Sequence, residues 1–176
     1  MTFDEAYRGV PMDGVSDLRI SWDVPQGADV SEVVAARRTL AYDYWLSQSA
    51  DWAPMIPIAR FLYTEGYYQQ VWAGLETSKS DDPYGGPIWV RLMGAEKLGP
   101  DTVRVTFCTD IGWWLQSSWD KSKPRKDRAN LESFVMVNAE TGDGERRWLA
   151  DRHLDPDADR KAVYGTECTK WAQHQP

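Results

Sequence analysis

The sequence predicts an α+β fold, with an N-terminal helix pair packed on a curved antiparallel sheet of four strands. Apolar residues recur at helical spacing between about residues 31 and 75. From residue 88 onward the apolar period falls to two, and turn residues separate four alternating segments. Because helices and strands are segregated along one chain of 176 residues, we expect a single domain with the helices on one face of the sheet.

Residues 1–30 are predicted to form an N-terminal arm, and residues 31–176 the domain itself. Gly and Pro residues interrupt this first stretch so often that no helix with sustained periodicity is expected. One short alternating piece, residues 18–22, fits either an edge strand or an extended segment that lies across the domain.

Two helices are predicted after the arm. The first begins at Ser31, a candidate N-cap followed by Glu32 in the first turn, and it ends near residues 47–50. Pro57 suits an early position of the second helix, which is expected over residues 58–75. A loop rich in Ser, Asp and Gly follows the second helix.

The second half of the chain predicts four strands, which cover residues 88–93, 103–108, 131–138 and 146–152. Gly99-Pro100 provides the turn within the first pair. The sequence Thr141-Gly142-Asp143-Gly144 is a hairpin signal within the last pair. Residues 112–130 form a polar insertion that carries tryptophans. The tail from Leu154 onward is expected to be irregular.

The composition excludes some classes of partner. Net charge is −7, and the 20 Lys and Arg residues do not gather into one stripe, so no nucleic-acid partner is expected. The densest basic run, residues 121–128, is predicted to be a solvated loop, with a contact site for anions as the alternative. The chain lacks a run of about 18 apolar residues, which predicts no transmembrane segment. Its acidic N-terminus lacks signal-peptide features, so the protein is either cytoplasmic or an exported protein without its signal.

Several motifs occupy distinctive places in the predicted fold. They are an aromatic-rich helix pair, a strand ending in VRVTFCTD, a hairpin turn followed by Trp148, and a terminal Gly165-Thr166-Glu167-Cys168. Over about residues 30–168 the chain thereby resembles the NTF2-like superfamily with its cystatin-like fold. Within it the chain is similar to small exported actinobacterial proteins, often lipoproteins, of unassigned function. The missing export signal and a longer tail after Trp148 depart from that group.

The resemblance implies a disulfide between Cys108 and Cys168, since in that group the cysteine that ends a sheet strand pairs with one near the C-terminus. Such a bridge would hold the tail against the sheet and would imply an oxidising compartment. The alternative is two unrelated thiols in a cytosolic protein. We therefore expect an extracytoplasmic protein, secreted or lipid-anchored, with a cytoplasmic or virion location as the alternative.

The same resemblance implies a pocket between helices and sheet, in which some members carry out isomerisation, dehydration or epoxide opening. These reactions need an acid–base pair in a dry cavity, and the weak catalytic candidates are Asp43, Arg104 and Asp110. Both Asp43 and Arg104 have the alternative of pointing to solvent. No cofactor and no metal are expected, because two cysteines cannot form a tetrahedral zinc site. His153 and His174 lie at no ligand spacing, and His174 is expected to fray.

Trp113, Trp114 and Trp119 are predicted partner-binding residues, because aromatic side chains offered from a loop are common binding anchors. The alternative is that they fold back and plug the open end of the cone-shaped fold that the resemblance implies. These observations predict a non-enzymatic binding or assembly module that contacts a protein partner, with homo-oligomerisation as a further option. A small-ligand enzyme of the same fold and a structural subunit of a phage or secreted particle are the alternatives.

Overall fold

A curled sheet with helices on both faces forms the protein, as seen in a computed structural model that describes residues 1–154 and 158–176. The predicted α+β class is confirmed, but within the described residues the main sheet has five strands rather than four. Numbered along the chain, these are β1 (Arg19–Asp23), β3 (Pro87–Gly99), β4 (Thr102–Asp110), β6 (Ala129–Glu140) and β7 (Arg146–Leu154). They lie side by side in that order. A separate short ribbon pairs β2 (Tyr84–Gly85) with β5 (Leu115–Gln116).

The four predicted strands form an antiparallel meander of β3, β4, β6 and β7. Its last turn is the predicted hairpin, in which Thr141 N donates to Glu145 O at 2.8 Å and Gly144 adopts a φ of 81°. Strand β3, the first of the predicted strands, continues to Gly99, well beyond the predicted end at residue 93. Register shifts between Leu92 and Gly94, and again between Lys97 and Gly99, interrupt the side-chain alternation there while the backbone stays paired.

The segment expected to be an arm contributes to the core. Helix α1 (Phe3–Gly9) begins with a capping box between Thr2 and Glu5, which stabilises a helix too short to show a periodicity in the sequence. The expectation that this stretch holds no helix is therefore wrong. Strand β1 then adds a parallel edge to the sheet beside β3. The buried apolar side chains of the segment are Ala6, Val10, Leu18 and Ile20.

Helix α2 (Ser31–Gln48) matches the first predicted helix. The prediction of one continuous second helix over residues 58–75 is wrong. Only α3 (Ile56–Ala59), α4 (Glu65–Tyr67) and a π-helical turn (Tyr68–Trp72) form there. Between α3 and α4 the backbone pairs with the outer edge of β7: Ala150 N donates to Leu62 O at 2.8 Å, and Thr64 N donates to Ala150 O at 3.0 Å. These hydrogen bonds to the sheet replace those of a continuous helix.

The C-terminal tail is not irregular, because helix α5 (Ala158–Trp171) packs on the face of the sheet opposite α2. The predicted placement of all helices on one face is therefore wrong, and residues 155–157 of the predicted tail lie outside the described residues. A disulfide between Cys108 of β4 and Cys168 of α5 ties the helix to the sheet, as the resemblance implied. Cys168 is the buried residue of α5, and half-buried Tyr164 and Trp171 lie on the same side of the helix at helical spacing.

The alternation of β4 decides which side chains meet which helix. Val105 and Phe107 enter the core that the sheet shares with α2. Cys108 faces α5, and the alternation places Asp110 on that same side. The two faces of the sheet thus carry two separate polar clusters. Within the described residues the helices are too short or too polar to cross a membrane.

Candidate functional site

The three predicted catalytic residues do not converge. Asp43 projects from α2 toward the end of β7, where it contacts His153. Asp110 lies on the opposite face of the sheet and contacts Arg128 and His174. The alternation of β4 places Arg104 on the same face as Asp110 rather than beside Asp43. A single acid–base site built from the three is therefore not formed.

The first polar cluster, which we call the His153 cluster, joins α2 to strands β6 and β7. His153 Nδ1 lies 3.2 Å from Asp43 Oδ2, and His153 Nε2 lies 3.6 Å from Glu132 Oε1. The ring of Phe134 stacks on the imidazole with 4.3 Å between centroids. One imidazole thereby bridges two carboxylates from different elements.

Hydroxyl groups donate hydrogen bonds to both carboxylates. Tyr63 donates to Asp43 Oδ1 at 2.6 Å, while Tyr44 and Thr109 donate to Glu132 Oε2 at 3.0 and 2.7 Å. Burial raises the pKa of Tyr44 and of Tyr63 well above the ordinary tyrosine value, so both phenols stay protonated as donors.

The electrostatics of the cluster favour an imidazolium. Burial alone would lower the pKa of His153, but hydrogen bonds and charge from Asp43 and Glu132 outweigh it and raise the pKa to about 10. At neutral pH both ring nitrogens therefore carry protons and face carboxylates. An efficient general base needs a pKa near the working pH, so this cluster is suited to holding the fold together rather than to proton abstraction.

The second polar cluster, which we call the Asp110 cluster, lies on the α5 face. Asp110 is fully buried and accepts hydrogen bonds from Gly112 N at 2.9 Å and from Arg128 Nη2 at 3.1 Å. His174 adds its backbone N at 2.9 Å, and its Nδ1 lies 3.1 Å from the same carboxylate. Burial alone would raise the pKa of Asp110, but the hydrogen bonds from Gly112, His174 and Arg128 lower it, so the group is a carboxylate.

Tryptophan side chains enclose His174 above this carboxylate. The imidazole stacks on Trp89 with 4.9 Å between centroids and an 11° interplanar angle, and Trp171 meets it edge-on at 4.7 Å. Trp113 Nε1 donates to the carbonyl oxygen of His174 at 3.2 Å. The expectation that His174 is frayed is therefore wrong. The sequence shows no spacing that could have predicted either histidine, because each partner comes from a distant element.

The three predicted partner-binding tryptophans have three different environments. Trp114 is buried, stacked on Tyr84 at 5.9 Å and edge-on to Tyr44 at 5.5 Å. It therefore folds back into the core instead of being offered to a partner. Trp113 is partly buried and donates a hydrogen bond to His174 in the Asp110 cluster. Trp119 is 39% exposed. Of the three, Trp119 is the side chain that the structure presents to solvent.

Trp119 lies in a groove of about 470 Å³, which we call the Trp119 groove. Leu115 and Pro124 add apolar surface, and the Arg125 guanidinium lies 5.5 Å from the centroid of the Trp119 ring. The residues that line the groove are Leu115, Trp119, Asp120, Lys123, Pro124, Arg125, Lys126 and Asp127. Aromatic and basic side chains are thus combined in the densest basic run of the chain.

Hydrogen bonds hold the loop around this groove in place. Lys121 Nζ donates to Leu115 O at 3.1 Å, and Arg125 N donates to Gly112 O at 2.7 Å. Asp82 accepts hydrogen bonds from Ser117 Oγ at 2.6 Å and from Ser118 N at 2.9 Å. The groove is therefore formed by an anchored loop, which lowers the entropy cost of binding.

The described part of the chain contains no group of His, Cys, Asp and Glu side chains arranged to hold a metal ion. Comparison with known proteins gives no further guide: no protein-family model, no curated protein and no solved structure matches the chain.

Proposed function

We propose that this protein is a non-enzymatic binding or assembly module, and that it contacts an acidic segment of a protein partner through the Trp119 groove. The observation that carries the proposal is an exposed tryptophan next to basic side chains in a chain of net charge −7. Exposed Trp and Arg residues are the side chains that most often dominate binding energy at protein interfaces.

The excess of basic over acidic side chains in the groove favours a partner segment that carries negative charge. Lys123, Arg125 and Lys126 outnumber the groove's acidic residues, Asp120 and Asp127, so the local potential favours an anion although the protein as a whole repels one. A nucleic acid is a poor partner for a chain of net charge −7, because its affinity depends on neutralising many phosphates and the groove supplies three cations. A short acidic peptide segment needs only this one contact region, and its apolar side chains can pack on Trp119 and Leu115.

The disulfide between Cys108 and Cys168 supports an oxidising, extracytoplasmic compartment for this binding. A secreted or lipid-anchored protein is our proposal within that compartment. The curled sheet around α2 is also compatible with an NTF2-like relationship, which we retain as a proposal. An isomerase or dehydratase of that kind is disfavoured here, because Asp43 and Asp110 occupy opposite faces of the sheet.

A peptide selection tests the proposal. Random dodecapeptides displayed on a carrier are selected on the wild-type protein with an excess of the Trp119→Ala variant in solution as competitor. We expect the surviving peptides to be enriched in Asp and Glu. A synthetic peptide from the pool should bind wild type at least tenfold more tightly than Trp119→Ala, and its affinity should fall as salt rises.

Leu98→Ala provides the matched control, because Leu98 is an apolar residue at the far end of β3 that is 47% exposed, somewhat more than Trp119. This variant should bind the selected peptide as wild type does. The proposal is overturned if the selection yields neutral or basic peptides, or if Leu98→Ala weakens binding as much as Trp119→Ala.

A further inference from the structure

His174 is bound by the rest of the molecule in the way a peptide ligand is bound. Its backbone N–H and its imidazole both meet the carboxylate of Asp110, and its carbonyl oxygen accepts from Trp113 and Arg128. The ring also stacks on Trp89. The backbone N–H, the carbonyl oxygen and Nδ1 of this one residue are therefore all recognised.

The site that receives His174 does not depend on the tail for its own charge balance. Asp110 keeps the hydrogen bonds from Arg128 and Gly112 when His174 is removed, so the buried carboxylate retains a cation and a backbone donor. Cys108, two residues earlier on the same strand, is fixed to α5 by the disulfide. Trp89, Asp110 and Trp171 of the site thus lie on β3, β4 and α5, while Trp113 and Arg128 come from the segment between β4 and β6.

Residues 173–176 have few other contacts, among them the hydrogen bond from Gln173 Nε2 to Thr169 O at 3.1 Å. The residues after α5 have no regular secondary structure, and Gln173, Gln175 and Pro176 are exposed. Ala172 is buried directly after the helix, so His174 is the anchor of the segment that follows it. Segments with few buried contacts open at lower free-energy cost than the core.

Space for an incoming segment lies directly beside this anchor. A groove of about 520 Å³ is lined by Trp113 and Pro176 together with Gly86, Pro87 and Lys121. A peptide lying in this groove would contact Trp113, the same residue that donates to the carbonyl oxygen of His174.

We propose that the Asp110 cluster is a recognition site for a histidine in an extended segment of a partner protein, and that the chain's own tail is the internal ligand that such a segment displaces. The chemistry of the ligand follows from the contacts: an imidazole to stack on Trp89 and reach Asp110, a backbone N–H for the same carboxylate, and a carbonyl oxygen for Trp113 and Arg128. The site is separate from the Trp119 groove, so either proposal can fail alone.

The test uses the full chain with His174→Ala and the acetylated peptide Ala-Gln-His-Gln-Pro, which copies the tail, as probe. Binding is followed by the indole N–H resonance of Trp113 in two-dimensional NMR, assigned with Trp113→Phe. We expect the peptide to bind His174→Ala at least tenfold more tightly than wild type, whose site is occupied. The same peptide with Ala in place of His should bind at least tenfold more weakly. Equal binding of the two peptides overturns the proposal.

A second measurement on the wild-type chain covers the case in which His174→Ala does not fold. The amide of His174 is protected by its hydrogen bond to Asp110, so displacement should expose it. Millimolar His peptide should accelerate hydrogen exchange of this amide at least tenfold, and the Ala peptide should leave it unchanged. No acceleration overturns the proposal. A dimer formed when wild type and His174→Ala are mixed would assign the site to the tail of a second copy, and would overturn the partner assignment.

Discussion

His153 Nδ1 lies 3.2 Å from Asp43 Oδ2, a contact that joins the last strand of the sheet to helix α2. Glu132 of β6 faces the other ring nitrogen, so the imidazolium connects three elements. Because this cation is held by two carboxylates that are themselves hydrogen bonded, its protonation state is coupled to the packing of α2 on the sheet.

The stabilising effect of His153 should depend on pH in a defined direction. The pKa of His153 rises from 6.5 to about 10 on folding, so its contribution is complete below pH 6.5, declines between pH 6.5 and 10, and is lost above pH 10. We expect the free energy of unfolding of wild type to exceed that of His153→Gln by about 2 kcal/mol more at pH 6 than at pH 10.5, after allowance for solvent screening. Urea unfolding of both proteins across this range measures it.

His153→Gln also loses the stacking contact with Phe134, and the dispersion part of that contact does not depend on pH. The change with pH is therefore the decisive quantity. A constant difference between the two proteins from pH 6 to pH 10.5 would show that His153 does not gain its proton affinity from Asp43 and Glu132.

Removal of the disulfide should release α5 from the sheet. Cys108 and Cys168 are separated by 60 residues in the sequence, and closure of such a loop stabilises a folded chain by about 4 kcal/mol in the chain-entropy model. Since α5 buries little apart from Cys168, its docking depends on this bond. We expect the Cys108→Ser, Cys168→Ser double variant to lose about 4 kcal/mol and to lose protection of the α5 amides in hydrogen exchange.

Wild type treated with a reductant should behave like this double variant, which separates loss of the bond from the effect of the serine side chains. Full protection of α5 in the reduced protein would contradict the prediction, because it would show that the helix packs without its covalent anchor.

The parts of the fold that the sequence predicts are those whose residues satisfy their own local pattern. Val103, Val105 and Phe107 alternate because one face of β4 meets the core, and this alternation predicts the strand. Helix α5 carries a weaker pattern, in which Cys168 is the buried residue and its covalent bond to Cys108 supplements the packing of Tyr164 and Trp171. The helix expected over residues 58–75 is interrupted by hydrogen bonds to β7, which only the tertiary structure supplies.

The same distinction applies to the candidate sites. Asp110 could be selected from the sequence as a polar residue at the end of a core strand, but its partners Arg128 and His174 come from a loop and the tail. His153 is likewise joined to Asp43 only by the packing of α2 on the sheet. Such clusters depend on contacts between distant segments, and a single sequence without spacing motifs does not reveal them.

Gly86 should resist substitution because its backbone lies against the backbone of Trp113, which contacts His174 in the Asp110 cluster. Its φ of +117° disfavours any side chain, and a Cβ at this position would lie 2.0 Å from the carbonyl oxygen of Trp113. We expect Gly86→Ala to destabilise the protein by about 2–4 kcal/mol and to shift the indole resonance of Trp113. Gly142→Ala is the control, since no atom lies within 4 Å of its Cβ position, and it should change stability by less than about 1 kcal/mol.

Substitution of Trp114 should lower the free energy of unfolding, whereas substitution of Trp119 should lower the affinity for an acidic peptide. Trp114 is 4% exposed and packs against Tyr44 and Tyr84, so Trp114→Ala should destabilise the protein by about 3–5 kcal/mol. Trp119 is 39% exposed, so Trp119→Ala should change the free energy of unfolding by less than about 1 kcal/mol while it weakens binding of an acidic peptide at least tenfold. Urea unfolding and peptide titration on the same two preparations measure both effects. A loss of stability in Trp119→Ala as large as that in Trp114→Ala would mean that Trp119 completes the core and that the groove is not a binding surface.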